Sequence, residues 1–344
     1  MKHINNINIS NFKSIRQASI EDCNVINVFI GKPNAGKSNL LEALGLRIMF
    51  QQDDNMDSLQ MLANLVRFQR VDQLFYQGAV AEQQNGTIVI DGQDLTFQRV
   101  SGGIRFETSF REFVRVQEFN QTGTKLLSSL EQGFTTVFLS NFSLRRYIFK
   151  SGSQLDNMGS HHEYHLKAPF GENLGYVAYH NSYLLNYIQN EIKRANRKFV
   201  LDNLYQIKIQ LERFDGLIFE HGFEMLADTV QRVIFHQAAI LSNKESVLLF
   251  EEPEAHCFEP YIQEFTNAVK YDKNKNQFFI VTHSDFIIQE FLRDDDSKAK
   301  TNIYLVNNVQ GETQVKLMKR ENNEDVYELG MNAFFNFDQL WENN

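Results

Sequence analysis

The sequence predicts an α/β fold: a parallel sheet covered on both faces by helices, with an antiparallel β lobe and an inserted mixed region. Three observations lead there. A glycine-containing loop, Gly31–Ser38, joins a short apolar run to a segment of helical spacing. From about residue 225 to 306, apolar runs of strand length alternate with helical patterns, which is how a parallel sheet reads. From Gly86 to Ser109, short runs are separated by Asp91-Gly92 and by Ser101-Gly102-Gly103, the turn signals of an antiparallel meander.

The elements follow in order. Val25, Ile26, Val28, Phe29 and Ile30 form a continuous apolar run, as expected of a strand buried on both faces. Leu40, Leu41, Leu44 and Ile48 recur at helical spacing after the loop. Residues 110 to 180 are mixed, with loop-like pieces at Lys150–Ser153 and Ala168–Gly171. Leu184, Leu185, Ile188 and Ile192 predict an amphipathic helix. Ile207, Ile209 and Leu211 alternate with polar residues, and Asp215-Gly216 offers a hairpin turn. Leu226, Val230, Val233 and Ile234 predict a helix, Val247–Phe250 a strand, and Ile262–Val269 a helix. Phe278–Val281 then predict a strand, Phe286–Leu292 a helix, and Ile303–Val306 a strand.

Composition narrows the function classes. With 344 residues, 42% apolar and 22% charged, the chain can bury a large core, and disorder is not expected. Lysine and arginine total 34 against 43 acids, a net charge of −9, which argues against a protein whose main task is to coat nucleic acid. A local basic groove stays compatible with that balance. Two cysteines, Cys23 and Cys257, cannot build a disulfide framework and fit a reducing, cytoplasmic compartment. No run of 18 apolar residues occurs and the N-terminus lacks an apolar segment, so neither a membrane span nor secretion is expected.

The loop Gly31-Lys32-Pro33-Asn34-Ala35-Gly36-Lys37-Ser38 fits the phosphate-binding pattern G-x-x-x-x-G-K-[ST] in its strand-to-helix context. Glycines let backbone N–H groups turn inward around a polyphosphate, and the helix N-terminus adds partial positive charge. Lys37 is expected to reach the β- and γ-phosphates and Ser38 to hold Mg²⁺ through its hydroxyl. The candidate nucleotide-binding residues here are Gly31, Pro33, Asn34, Ala35, Gly36, Lys37, Ser38 and Asn39. Further on, the run ending in Phe250-Glu251-Glu252-Pro253-Glu254-Ala255-His256 puts carboxylates at the C-terminal end of a buried strand, where ligand sites of open α/β sheets lie. Phosphoanhydride hydrolysis needs one carboxylate near the metal and one beside the attacking water. Glu251 is assigned to the metal and Glu252 to the water. A second strand end, Thr282-His283-Ser284-Asp285, offers His283 as a sensor of the γ-phosphate, although the same position also fits a polar cap on the next helix.

Together these residues resemble the ABC-type ATPase heads, a P-loop NTPase class, of the SMC, RecF and OLD (overcoming lysogenization defect) group. Ile7–Ile15 resembles that group's first strand, Gly31–Leu44 its phosphate loop and helix, Phe250–His256 the acidic motif of OLD-like members, and Thr282-His283-Ser284 the switch histidine. The resemblance covers about the first 50 residues and roughly 205 to 290. It implies an AAA-family ATP-binding protein using ATP and Mg²⁺, with Glu252, His283 and Lys37 catalytic and with Ser38 and Glu251 on the metal. It implies a discontinuous head from residues 1–50 plus 205–344, with 51–204 forming a β-rich lobe and a partly helical insertion. It implies too that Asp228 and Thr229, in Ala227–Arg232, meet the γ-phosphate of a second subunit in a homodimer or higher homo-oligomer. Two departures stand out: Thr229 replaces a signature glycine, and the first acid is Glu251 rather than Asp. About 60 residues follow His283, too few for the Toprim nuclease many OLD proteins carry, so a nuclease effector would be a separate chain. Small proteins of this kind often serve bacterial defence against phage. A nucleotide-gated scaffold with little turnover and a DNA-repair-type ATPase are the competing readings.

Weaker signals complete the sequence. His161 and His165 stand four apart, but Gly159 and Pro169 favour a loop over a metal-binding helix. Lys193, Arg194, Arg197 and Lys198 form the densest basic patch, which reads either as a surface for nucleic acid or an acidic partner, or as the wet face of a helix. Asp294-Asp295-Asp296 reads as a solvated acidic loop, and Cys257 has no base in sight to make it a nucleophile.

Overall fold

A computed structural model describes residues 3–48, 62, 64–78, 85–100, 103–110, 113–120, 125–130, 143–151 and 163–344. The expected first strand, Ile7–Ile15, is present but ends at Phe12 and continues as a hairpin. β1 (Ile7–Phe12) turns at Lys13 and Ser14 into β2 (Ile15–Ile20) and pairs with it antiparallel. The turn needs left-handed backbone at Asn11 (φ 53°) and Lys13 (φ 51°), conformations that polar residues tolerate better than apolar ones. β3 (Ile26–Ile30) is buried along its whole length and leads into the loop and the helix Lys37–Ile48.

The predicted meander is present. β4 (Asn85–Ile90), β5 (Gln93–Val100), β6 (Gly103–Phe110), β7 (Phe113–Asn120) and β8 (Lys125–Leu130) run antiparallel in sequence order. β4 also pairs with β1, so the N-terminal hairpin belongs to this sheet, whose order is β2-β1-β4-β5-β6-β7-β8. β9 (Ser143–Tyr147) follows, then helices Leu174–His180 and Ser182–Arg194. A small antiparallel sheet comes next: β10 (Lys198–Leu201), β11 (Ile207–Glu212) and β12 (Ile218–Gly222), with Asp215-Gly216 in its second turn.

The remaining chain alternates as its spacing requires. Helix Asp228–Ser242 precedes β13 (Ser246–Glu251), helix Glu259–Lys270 precedes β14 (Gln277–Val281), and helices Asp285–Leu292 and Asp295–Lys300 precede β15 (Thr301–Val309). β16 (Glu312–Leu317) turns back antiparallel on β15, and helices Arg320–Glu328 and Phe337–Asn343 end the chain. The core sheet has the order β16-β15-β3-β14-β13-β9, parallel throughout except for β16. β9 pairs in parallel with β13, so the core sheet also draws a strand from within residues 51–204.

Register sorts the side chains into two cores. The row Tyr147, Phe250, Ile280, Val28 and Ile303 crosses the sheet and faces the helices of the C-terminal half. The opposite face, with Phe29, Leu249, Phe279 and Tyr304, packs on helix Lys37–Ile48 and the seven-stranded sheet. The central helix is therefore clamped between two sheets. Asp294-Asp295-Asp296 is the start of a helix rather than a loop: Asp294 caps it by accepting from the Ser297 amide at 2.9 Å. Among the described residues, no helix is long and apolar enough to cross a membrane.

Candidate functional site

β3 has β14 on one side and β15 on the other, so the loop after it opens at the middle of the sheet's C-terminal edge. Gly36 holds φ +98°, and a Cβ there would meet Thr313 Oγ1 at 2.0 Å and Ser14 Oγ at 2.8 Å. Backbone conformation and space both demand glycine. Those same hydroxyls brace the loop: Ser14 Oγ and Thr313 Oγ1 are 2.7 Å apart, and Asn39 Nδ2 donates to Ser14 Oγ at 2.6 Å. Ala35 is buried, whereas Pro33 and Asn34 are exposed at the turn, with Asn34 at φ 60°.

Lys37 is 5% exposed, and its ammonium folds back onto the loop. It donates to the carbonyls of Gly31 and Lys32, both at 2.9 Å. Burial lowers its pKa to about 8 against the opposing pull of Glu252 and Glu251. The loop thus holds a desolvated cation whose present partners are two neutral carbonyls, an arrangement that a polyphosphate would improve.

Glu251 ends β13 beside this loop. Burial alone would raise its carboxyl, but Arg146, a hydrogen bond from the Ser38 hydroxyl, and Arg67 outweigh it and hold the group below its ordinary value. Arg146 Nη2 lies 2.5 Å from Glu251 Oε2, and Arg67 Nη2 lies 3.6 Å from Oε1. Arg67 also donates to Glu42 at 2.6 Å, and the fully buried Glu42 pairs with Lys13. The Ser38 hydroxyl and the Glu251 carboxylate therefore form an oxygen pair of the kind Mg²⁺ accepts, with phosphate and water to complete the shell. Among the described residues, no group of three or more His, Cys, Asp and Glu side chains is arranged to hold a metal alone.

Glu252 is about half exposed and adopts φ +46°, a costly conformation for a non-glycine residue and one that clusters at functional sites. Its Oε1 lies 3.6 Å from His283 Nε2. Burial and the nearby Lys37 lower the His283 pKa, which favours the neutral ring, and the ring stacks on Phe334 with centroids 6.2 Å apart. The cap on helix Asp285–Leu292 is Ser284, not His283. Glu254 pins this corner: its Oε1 accepts from Thr282 Oγ1 at 2.8 Å and from the His283 amide at 2.7 Å, while its buried Oε2 has no hydrogen-bond partner.

Asp228 and Thr229 stand apart from this cluster, in the first turn of helix Asp228–Ser242. Asp228 lies 3.6 Å from Arg232, and Thr229 Oγ1 donates to the His256 carbonyl at 2.6 Å. This hydroxyl ties the helix start to the turn after β13. His161 lies outside the described residues, and His165 pairs with Glu163 at 3.2 Å. Burial raises the Cys257 thiol to about 11, so it is a poor nucleophile. Sequence reasoning missed Arg146, Arg67, Glu254 and the Ser14–Thr313 brace. Only Glu254 left a trace, as the third acid of the strand-end motif.

The model of the AAA ATPase domain matches residues 1–214, more than half of the chain. The chain belongs to the AAA ATPase domain family. The match spans the phosphate loop and ends before Glu251 and His283. An SMC head bound to the C-terminal winged-helix domain of ScpA has the same overall fold, at 13% identity and TM-score 0.52, covering 93% of this chain and 99% of that one. An SMC head with an extended coiled coil, bound to the C-terminal domain of ScpA derived from Pyrococcus furiosus, aligns at 11% identity and TM-score 0.51, covering 96% of this chain and 99% of that one. An uncharacterized protein of Methanocaldococcus jannaschii shares 49% identity over 43 residues, 12% of this chain. The chain matches about a fifth of that relative's length, 20%. These likenesses place the AAA ATPase domain on an ABC-type, SMC-head α/β fold.

Proposed function

We propose that this AAA-family protein binds and hydrolyses Mg-ATP and acts as a nucleotide-driven dimer switch of the OLD-like kind. The observation that carries this reading is the buried Lys37 ammonium, held by loop carbonyls within reach of Glu251 and Glu252. In the proposed reaction the triphosphate lies on Gly31–Asn39, with backbone amides and Lys37 on its charged oxygens. Ser38 and Glu251 would hold Mg²⁺, which would supply charge neutralisation on the phosphates. Glu252 accepts a proton as water attacks the γ-phosphorus, and the bond from that phosphorus to the bridging oxygen breaks. His283, neutral and beside Glu252, contacts the γ-phosphate and reports its loss. Asp228 and Thr229 of a second copy close the site from the opposite side, so that two nucleotides are sandwiched.

A switch of this kind biases a two-state interface, and an attached element reads it out. Defence against phage with a separate nuclease effector is the role we favour for it. The SMC heads to which the fold is similar are bound to ScpA, so seating a partner protein is compatible with this architecture. The second reading, a gated scaffold with little turnover, is favoured by one observation: Thr229 spends its hydroxyl on the His256 carbonyl within the same chain.

Light scattering on Glu252→Gln, with and without Mg-ATP, tests the switch. The expected result is a doubling of solution mass only with nucleotide. A mass indifferent to ATP overturns the dimer switch. Equal phosphate release by wild type and Glu252→Gln overturns the assignment of Glu252.

A further inference from the structure

The small sheet β10-β11-β12 and the end of helix Ser182–Arg194 enclose a groove of about 790 Å³. Its walls carry Lys193, Arg197, Lys198 and Arg213 against the lining carboxylate Glu212 and the adjacent Asp215, which lies 3.5 Å from Arg213. Lys198 is neutralised by Glu212 at 2.5 Å. Arg197 donates to the carbonyl of Asn196 at 3.1 Å rather than to an acid. On a chain of net charge −9, this is a local reversal of sign.

The groove is aromatic as well as basic. Phe214 is 97% exposed at the tip of the β11–β12 turn, and the Arg213 guanidinium lies over it at 5.6 Å and over Phe219 at 5.8 Å. Holding a phenyl ring in water is unfavourable, and a cation–aromatic pair at a groove mouth is a ready stacking plane. Gln189, Asn196 and Gln210 put neutral donors and acceptors between the charges. Along the helix, Tyr183, Asn186, Asn190 and Lys193 recur at helical spacing, and all are exposed. That face carries an aromatic at one end, a cation at the other and no carboxylate between.

We propose that this groove binds single-stranded nucleic acid. Cations track a phosphate backbone, exposed rings stack unpaired bases, and amides bond to base edges. An acidic peptide would use the charges but leave Phe214 without a partner. A duplex keeps its bases stacked away from the ring. The site lies outside the phosphate loop, so the test is run without ATP and is independent of the ATPase reading.

Fluorescence anisotropy of labelled 20-mers of thymidylate and uridylate, titrated with the full chain, measures binding. The double variant Lys193→Glu/Arg197→Glu is expected to weaken binding at least tenfold. It should also flatten the slope of log affinity against log salt by about 1.4, roughly 0.7 for each lost phosphate contact. Phe214→Ala is expected to weaken binding about five- to tenfold with the salt slope unchanged. All three positions are solvent-facing or partly so, and unchanged thermal unfolding certifies the fold of each variant. Three results overturn the proposal: no binding at roughly 50 mM salt, equal competition by a 20-mer duplex or by polyglutamate, or full affinity in both variants.

Discussion

Lys37 ties nucleotide affinity to pH. Its ammonium titrates at about 8 in the free protein, against an ordinary 10.5, because burial outweighs the attraction of Glu252 and Glu251. A triphosphate on the loop restores the charged form, so the bound pKa returns to at least about 10.5. At pH 9 the free protein then carries about 0.1 proton on this amine and the complex about one, so binding takes up about 0.9 proton. Between pH 7 and pH 9 the affinity should fall about tenfold, most of it above pH 8. Stability moves the other way. A lysine with a depressed folded pKa costs the fold its full penalty below about 8, up to about 3 kcal/mol, and the cost fades as pH rises from about 8 to 10.5. The nucleotide-free protein should therefore gain stability across the window in which it loses affinity. Calorimetry in buffers of different ionisation enthalpy counts the protons directly. Lys37→Arg, charged throughout, should bind with flat pH dependence. Constant affinity from pH 7 to 9 with no proton uptake would refute the argument that the ammonium is held at a desolvation cost.

Other perturbations follow from the same geometry. Gly36→Ala should cost about 1–3 kcal/mol in urea denaturation and abolish nucleotide binding, because its Cβ meets Thr313 and its φ is left-handed. Arg146→Met should cost about 3–5 kcal/mol near neutrality by leaving the largely buried Glu251 with only the exposed Arg67 as a cationic partner. That loss should shrink as pH falls below the ordinary carboxylate value, where the variant's Glu251 is protonated; a loss equal at pH 4 and pH 8 would point to packing instead. Thr229→Val should cost about 1 kcal/mol through the lost bond to His256 while leaving calorimetric ATP affinity per subunit unchanged.

The part of the fold legible in the sequence is the part whose signals are local. The loop, its helix and the strand ends at Glu251 and His283 each announce themselves within a dozen residues, through periodicity and punctuation. The hairpin at Ile7–Ile20 was hidden because its turn, Lys13-Ser14, lacks glycine or proline and relies on left-handed polar residues. Arg146 was hidden for another reason. It lies in Ser143–Tyr147, a strand without a clean alternation, and acquires its meaning only when β9 docks beside β13 and brings it to Glu251. Arg67 and the Ser14–Thr313 brace are likewise products of topology: their partners lie 25 to 299 residues away. Pairing of that range leaves no periodic trace in a single chain.

The order of the core sheet also dictates when this protein can fold as it is made. β3, its central strand, is complete within the first 30 residues, yet both of its neighbours, β14 and β15, come after residue 276. β9 waits in the same way for β13. Among the described residues, 1–214 contribute two core strands, β3 and β9, that do not pair with each other. A ribosome releasing this chain must carry an apolar, unpaired β3 through most of synthesis. Such a chain depends on late, long-range closure and is expected to fold slowly and to need protection from aggregation until its last strands arrive.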